Sequence, residues 1–256
     1  MSSTKERYGT MIQDWIGKEK VLSVKTYFLS DYGEQLIHKI LTEILTRYER
    51  LDLIDMAYSA AKELVINGTK ANLKRAVFKD LGLDMTNPSD YEKGLKFFKE
   101  NLAEEKIRTY KHKFKEYDMP VTCTMYFNHN VLNIKVKNNF PLMNHEEKRI
   151  RSKFNSARNF SSLIDYFMEF GDESEGAGLG LTMVGIMLDE SGANRHSFSL
   201  YSDYKFNETV AKIEIPLNEN YRPKRQVFEE EWRKSGLDKD EFRKQFSYNY
   251  KEFSLT

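Results

Sequence analysis

Glu175-Gly-Ala-Gly-Leu-Gly-Leu-Thr-Met-Val184 sets three glycines at every second position and runs directly into an apolar segment that reads as a helix. A backbone this bare lets an anion approach several N–H groups, and the helix that follows directs the positive end of its dipole to the same place. The turn has the physics of a phosphate cradle. It is not the dinucleotide fingerprint, which would need a further glycine where Leu181 stands, and no Gly-x-x-x-x-Gly-Lys loop occurs in the chain. Taken alone, the stretch equally suits a plain strand-to-helix connection, so its meaning depends on what surrounds it.

The chain has 256 residues, which suits one large domain with appendages and a sizeable core. A net charge of +1 with 31% charged residues gives no global field that argues for nucleic acid or a membrane surface. The single cysteine, Cys123, excludes an internal disulfide and a Cys-rich zinc site. The first residues, Met1-Ser-Ser-Thr-Lys-Glu-Arg7, lack the apolar core of a signal peptide, and no apolar run is long enough to span a bilayer. The expectation is a cytoplasmic protein with no membrane insertion.

In chain order, an extension over residues 1–19 precedes a strand over 20–28, rich in β-branched and aromatic residues. Ser30 and Asp31 offer N-caps to a first helix ending near Arg50, with apolar residues at 37, 40, 41, 44, 45 and 48 along one face. A second helix runs from about Asp52 to Arg75, burying Ile54, Ala57, Ala61, Leu64 and Val65. Its other stripe, Ser59, Glu63, Asn67, Lys70 and Lys74, lines up a carboxylate, an amide and ammonium groups at spacings of three or four. For a generic helix, that pattern is an ordinary solvated face. Gly68 weakens the helix yet allows close packing beside Asn67.

Residues 79–118 read as an insertion: a turn at Thr86-Asn-Pro-Ser-Asp90 and then one long charged helix without a catalytic signal. Strands follow over 121–127 and 131–137, the second alternating Leu132, Ile134 and Val136 with Asn133, Lys135 and Lys137. Residues 139–175 suit a lid, with helices over 144–157, where Asn144 and Glu147 resemble a capping pair, and 161–170. A helix over 179–190 and strands over 196–202 and 209–217 complete the domain at 20–217. The remaining segment, 218–256, is a charged and aromatic helical extension whose Phe228, Trp232, Phe242 and Phe246 need cover from the domain or from another chain.

This order predicts an α/β, more closely α+β, fold: a two-layer sandwich with a mixed, mostly antiparallel sheet of about five strands and three core helices on one face. Three stretches then carry a resemblance. Glu63-Leu-Val-Ile-Asn-Gly-Thr-Lys70 resembles the N box of the GHKL (histidine kinase-like ATPase) superfamily, Glu175-Gly-Ala-Gly-Leu-Gly-Leu181 its second glycine box, and Leu132-Asn-Ile-Lys-Val-Lys-Asn-Asn139 the strand entering its first. Ile213-Glu-Ile-Pro-Leu217 is similar to the family's final strand. The layout is closest to anti-sigma-factor serine kinases and sensor-kinase catalytic domains, which implies a Bergerat-type ATP-binding fold.

The resemblance implies ATP and Mg2+ as cofactors, with Asn67 holding the metal, a hard oxygen ligand suited to magnesium. Lys70 would stand near the phosphates, with Gly176, Gly178 and Gly180 cradling them and Leu181 and Thr182 following as nucleotide contacts. Glu63 would be the general base. Asn138 and Phe140 stand where the family's first glycine box has its adenine-binding Asp and first glycine; the Asn138 amide oxygen can still accept from adenine, though more weakly than a carboxylate. The implied function is a cytoplasmic protein kinase acting on a partner protein in signalling. Alternatives are a histidine kinase domain acting on a separate phosphoacceptor, or a non-catalytic nucleotide-binding or interaction module; a homodimer is compatible with either. His38 lacks the flanking residues of a phosphoacceptor, and His112, His129, His145 and His196 show no metal-ligand spacing and read as surface or turn residues.

Overall fold

The alternation of apolar and polar residues along β3 (Val131–Asn138) splits the sheet into two faces. Leu132, Ile134 and Val136 point to one side together with their cross-strand partners Phe127, Met125 and Cys123 of β2 (Val121–Phe127) and Ile215, Ile213 and Ala211 of β5 (Glu208–Pro216). All are buried. With β1 (Leu22–Thr26) and β4 (Phe198–Asp203) at the edges, the order is β1-β2-β3-β5-β4 and every pairing is antiparallel. The computed structural model of the protein describes residues 2–157, 179–193 and 197–248.

The helices that cover this apolar face are α2 (Asp31–Arg47), α3 (Ile54–Asp80) and α8 (Leu179–Glu190). Ser30 caps α2, its hydroxyl accepting from Gly33 N, and Ile37, Ile40, Leu41, Ile44 and Leu45 form the buried stripe at helical spacing. Each fully buried aliphatic side chain of this kind contributes about 2 kcal/mol through removal of apolar surface from water. The two-layer sandwich with three core helices is thus the architecture. His38 lies beside Ile37 but is exposed, one edge against the Tyr58 ring, rather than within the buried stripe. The 1–19 extension is mostly a helix, α1 (Ser2–Gly17), whose Ile12 and Ile16 join the same core.

The insertion departs from the single long helix its composition suggests. It forms α4 (Pro88–Glu100), capped by Asn87 with Pro88 at the first turn, then α5 (Glu104–Thr109) and α6 (Lys111–Glu116). The chain breaks at Asn101, and the turns that follow bring Leu102, Ile107 and Phe114 onto Leu73, Ala76 and Val77 of α3, with Phe28. This second core is why α3 continues to Asp80 instead of ending near Arg75.

α7 (Asn144–Ala157) begins the segment read as a lid. Its reach-back carboxylate is Glu146, which accepts from Met143 N at 3.0 Å, while Glu147 N bonds to Met143 O. The capping pair is therefore set one residue earlier than Asn144 and Glu147. The expected 161–170 helix, Glu175 with Gly176 and Gly178, and His196 lie outside the described residues. In the C-terminal extension, α9 (Lys224–Ser235) and α10 (Lys239–Gln245) bring Phe228, Phe242 and Phe246 together as mutual cover, with ring centroids 5.0 to 5.7 Å apart. Lys239 lies over Trp232.

Candidate functional site

Of the polar stripe of α3 only Ser59 is exposed; Glu63, Asn67 and Lys70 are half-buried and Lys74 is buried. Glu63, Asn67, Lys70 and Lys74 face a cavity of about 340 Å³ enclosed by α3, α4, the ends of β3 and β5, α7 and the first turns of α8. Asn67 Nδ2 donates to Glu63 Oε1 at 2.9 Å, one helical turn away. Gly180 is pressed onto this pair: a Cβ there would overlap the Glu63 carboxylate and stand 2.7 Å from Asn67 Nδ2. Glycine lets α8 start this close to α3 with the Glu63 and Asn67 side chains left in place. Gly68 packs tightly on the sheet: a Cβ there would stand 3.0 Å from Val121 Cγ1 and 3.2 Å from Asn138 Oδ1, so these neighbours would have to give by a few tenths of an ångström.

Asn138, the last residue of β3, forms part of the floor and is 7% exposed. Both of its amide hydrogens are used, one on Gly68 O at 2.9 Å and one on Asn72 Oδ1 at 2.6 Å. Asn72 is itself oriented by donating Nδ2 to Met119 O at 2.6 Å. The polarity of the Asn138 amide is therefore fixed in sequence by a main-chain carbonyl, and what remains on Asn138 is its acceptor oxygen. Thr209, opposite Asn138 on β5, lines the same floor and donates to Phe140 O at 2.6 Å.

The far end of the cavity is cationic. Lys74, only 8% exposed, donates to Tyr91 OH and to Glu146 Oε1, both at 2.9 Å. Arg75 meets Glu146 through two nitrogens, at 2.9 and 2.6 Å, and its guanidinium lies 4.7 Å from the centroid of the Phe140 ring. Burial alone would raise the Glu146 carboxyl, but hydrogen bonds and charge from Arg75, the charge of Lys74 and the Met143 N–H outweigh it and hold Glu146 at about 2. His145, edge-on to Tyr91, is lowered by burial first and by the charges of Lys74, Arg75 and Arg149, against the opposing pull of Glu146. Lys70 and Arg149 line the cavity with no ion pair among the described residues. Four Lys and Arg side chains thus face two carboxylates, Glu63 and Glu146, a surplus of two positive charges.

The insertion supplies one wall through Tyr91, Leu95 and Phe98. It reaches the cavity because α4 lies hard against α3: a Cβ on Gly94 would overlap the Phe78 ring. Of the residues selected from sequence, Glu63, Asn67, Lys70, Asn138, Gly180 and Leu181 line this one space, whereas Thr182 is buried and does not line it. Gly176 and Gly178 fall outside the described residues. Lys74, Arg75, His145, Glu146 and Arg149 were not selected, nor were the aromatic residues of α4. His145 is exposed, as its surface reading expects, and also lines the cavity. Helical spacing from Asn67 through Lys70 to Lys74 was the one signal that pointed to any of them. Among the described residues, no cluster of three or more His, Cys, Asp or Glu side chains is arranged to hold a metal, and no helix is long and apolar enough to cross a membrane.

No protein-family model matches the chain, and no solved structure does. An uncharacterized protein of Treponema pallidum (strain Nichols) is 32% identical over 197 residues, which make up 77% of this chain and 38% of that protein. The similarity therefore covers well under half the length of that relative.

Proposed function

We propose that the cavity binds ATP with magnesium and that the protein is a cytoplasmic kinase passing the γ-phosphate to a partner protein in signalling. The observation that carries this reading is the convergence of three sequence stretches on one space: Glu63, Asn67 and Lys70 from α3, Asn138 from β3, and Gly180 and Leu181 from α8. The donor chemistry fits the ligand. Asn67 gives its Nδ2 to Glu63, so its Oδ1 is left for a hard cation, and magnesium when bound would supply neutralisation of phosphate charge. Lys70 and Arg149 supply cations for the phosphates, and the Asn138 oxygen supplies an acceptor for an exocyclic amino group. Glu63, engaged by Asn67 through Oε1, has Oε2 left to take the proton of an acceptor hydroxyl.

A non-catalytic nucleotide-binding module is the second reading, favoured by Phe140. Its ring, carrying the Arg75 guanidinium, lines the cavity where the resembled family has a glycine. Calorimetric titration of the full chain with magnesium-ATP tests the site: binding is expected, and Asn67→Asp is expected to abolish it by setting a second carboxylate beside Glu63. Unchanged affinity in that variant would sink the assignment. Incubation with γ-labelled ATP and candidate partners separates the readings, since acid-stable transfer supports a serine or threonine kinase, acid-labile transfer a histidine kinase, and binding without transfer the module.

A further inference from the structure

The cavity bounded by α3 and α4 has an apolar side built from residues that neither core uses. Leu95 of α4, Phe140 and Leu142 after β3, Ile150 of α7 and Met183 of α8 all line it, and all five are half-buried. Among the described residues, none of them packs into the main core or into the second core of the insertion. Apolar surface turned toward a space of about 340 Å³, with a few convergent polar groups beside it, is the usual make-up of a small-molecule pocket. Phosphates alone do not account for it. A polyphosphate is met by cations and N–H groups, and would leave this surface facing water.

Leu95 is the informative member. Tyr91, Leu95 and Phe98 follow one another at spacings of four and three, so one stripe of α4 faces the cavity. The two outer residues are engaged elsewhere as well. Tyr91 accepts from Lys74 at 2.9 Å while its ring meets His145 edge-on and lies 5.9 Å from the Phe78 ring, and Phe98 packs against the second core. Leu95, between them, gives its apolar surface to the cavity. The stripe is held in place by Gly94, buried against the Phe78 ring. The same space has the Asn138 oxygen in its floor, with both amide hydrogens of that side chain already spent. An acceptor set among aliphatic side chains suits a flat heteroaromatic ring with an exocyclic amino group, whose edge meets the oxygen and whose faces meet the side chains.

We infer, on the premise that the cavity takes ATP, that α4 makes the base a determinant of binding and that Leu95 is a specificity-determining residue. The insertion then discriminates a nucleotide from a bare polyphosphate, while α3 and α8 meet the phosphates. The motifs of the resembled superfamily assign no residue to α4.

The test is calorimetric titration of the full chain with magnesium-ATP and with magnesium-tripolyphosphate, in the parent and in Leu95→Ala and Leu95→Met. The parent should bind ATP at least tenfold more tightly than tripolyphosphate. Leu95→Ala should weaken ATP roughly tenfold and leave tripolyphosphate unchanged, and Leu95→Met, which keeps the volume, should restore most of the loss. The urea midpoint of Leu95→Ala should match the parent, since Leu95 lies outside both cores and alanine suits a helix. ATP binding that is the same in the parent and Leu95→Ala, equal weakening of both ligands, or tripolyphosphate as tight as ATP in the parent would each overturn the role of α4 and leave the nucleotide site standing. No binding of ATP by the parent would instead overturn the nucleotide reading, and the role of Leu95 with it.

Discussion

Gly180→Ala is the substitution whose sign separates two accounts of the glycine turn. If Gly180 were only a residue in the first turn of α8, alanine would favour the helix and stabilise the protein by up to about 1 kcal/mol. The structure predicts the opposite. The new Cβ would overlap the Glu63 carboxylate, and Glu63 can leave only by giving up its hydrogen bond from Asn67. Overpacking of this kind costs about 1–3 kcal/mol and loss of a hydrogen bond to a charged group about 1.5–3 kcal/mol. Since the helix gain offsets part of this, Gly180→Ala should destabilise by about 2 kcal/mol. With Glu63→Ala already in place the carboxylate is gone and the Asn67 amide is free to turn, so the same substitution should become neutral or stabilising. Urea unfolding of the four proteins at pH 7, with unchanged m, gives the coupling directly, and about 2 kcal/mol lies well outside the scatter of independent sites. A stabilising Gly180→Ala in the parent protein, or the same effect in both backgrounds, would refute the close approach of α8 to α3.

Glu146→Gln should destabilise by about 3 kcal/mol at pH 7, because the carboxyl lies well below its ordinary 4.5, at about 2, in the folded protein. A lowered carboxylate stabilises fully above its unfolded value and loses that contribution as pH falls through the folded one. The gap between parent and variant in urea midpoint should therefore close between about pH 4.5 and about pH 2, and a gap that does not change with pH would contradict the ion-pair account. Asn138→Asp, nearly isosteric, should be less stable than Asn138→Ala. The Asp sets carboxylate oxygens against Gly68 O and Asn72 Oδ1, whereas the Ala leaves those acceptors unpaired without adding a charge. Thermal unfolding that ranks the two the other way would refute the amide orientation.

The sheet was legible because β2 alternates throughout and β3 and β5 alternate over Leu132 to Lys137 and Ala211 to Ile215, and period 2 reports both the element and its buried face. The α3 stripe was legible as a stripe, but periodicity cannot say whether a polar face meets water or another part of the chain. Lys74 shows the difference: it sits at the same spacing as Lys70, yet is buried between Tyr91 and Glu146. Its partners lie 17 and 72 residues away, beyond any local pattern. Tyr91 and Phe98 were hidden for a related reason. An amphipathic helix states that one face will be covered and leaves open that α4 would cover a cavity rather than a core. The capping pair at α7 was displaced by one residue because Glu146 and Glu147 are adjacent carboxylates, and the choice between them is made by Arg75 from another helix.

The chain of amides from Met119 through Asn72 to Asn138 has a consequence for how the cavity can change over evolutionary time. Its first member is a peptide oxygen, present whatever side chain occupies position 119, so the instruction that orients the floor leaves no trace in the alphabet of the sequence. Drift at that position is silent to the site, whereas a change in the path of the backbone where the insertion rejoins β2 is not. An insertion that looks dispensable by composition thus carries part of the cavity floor's specification in its geometry.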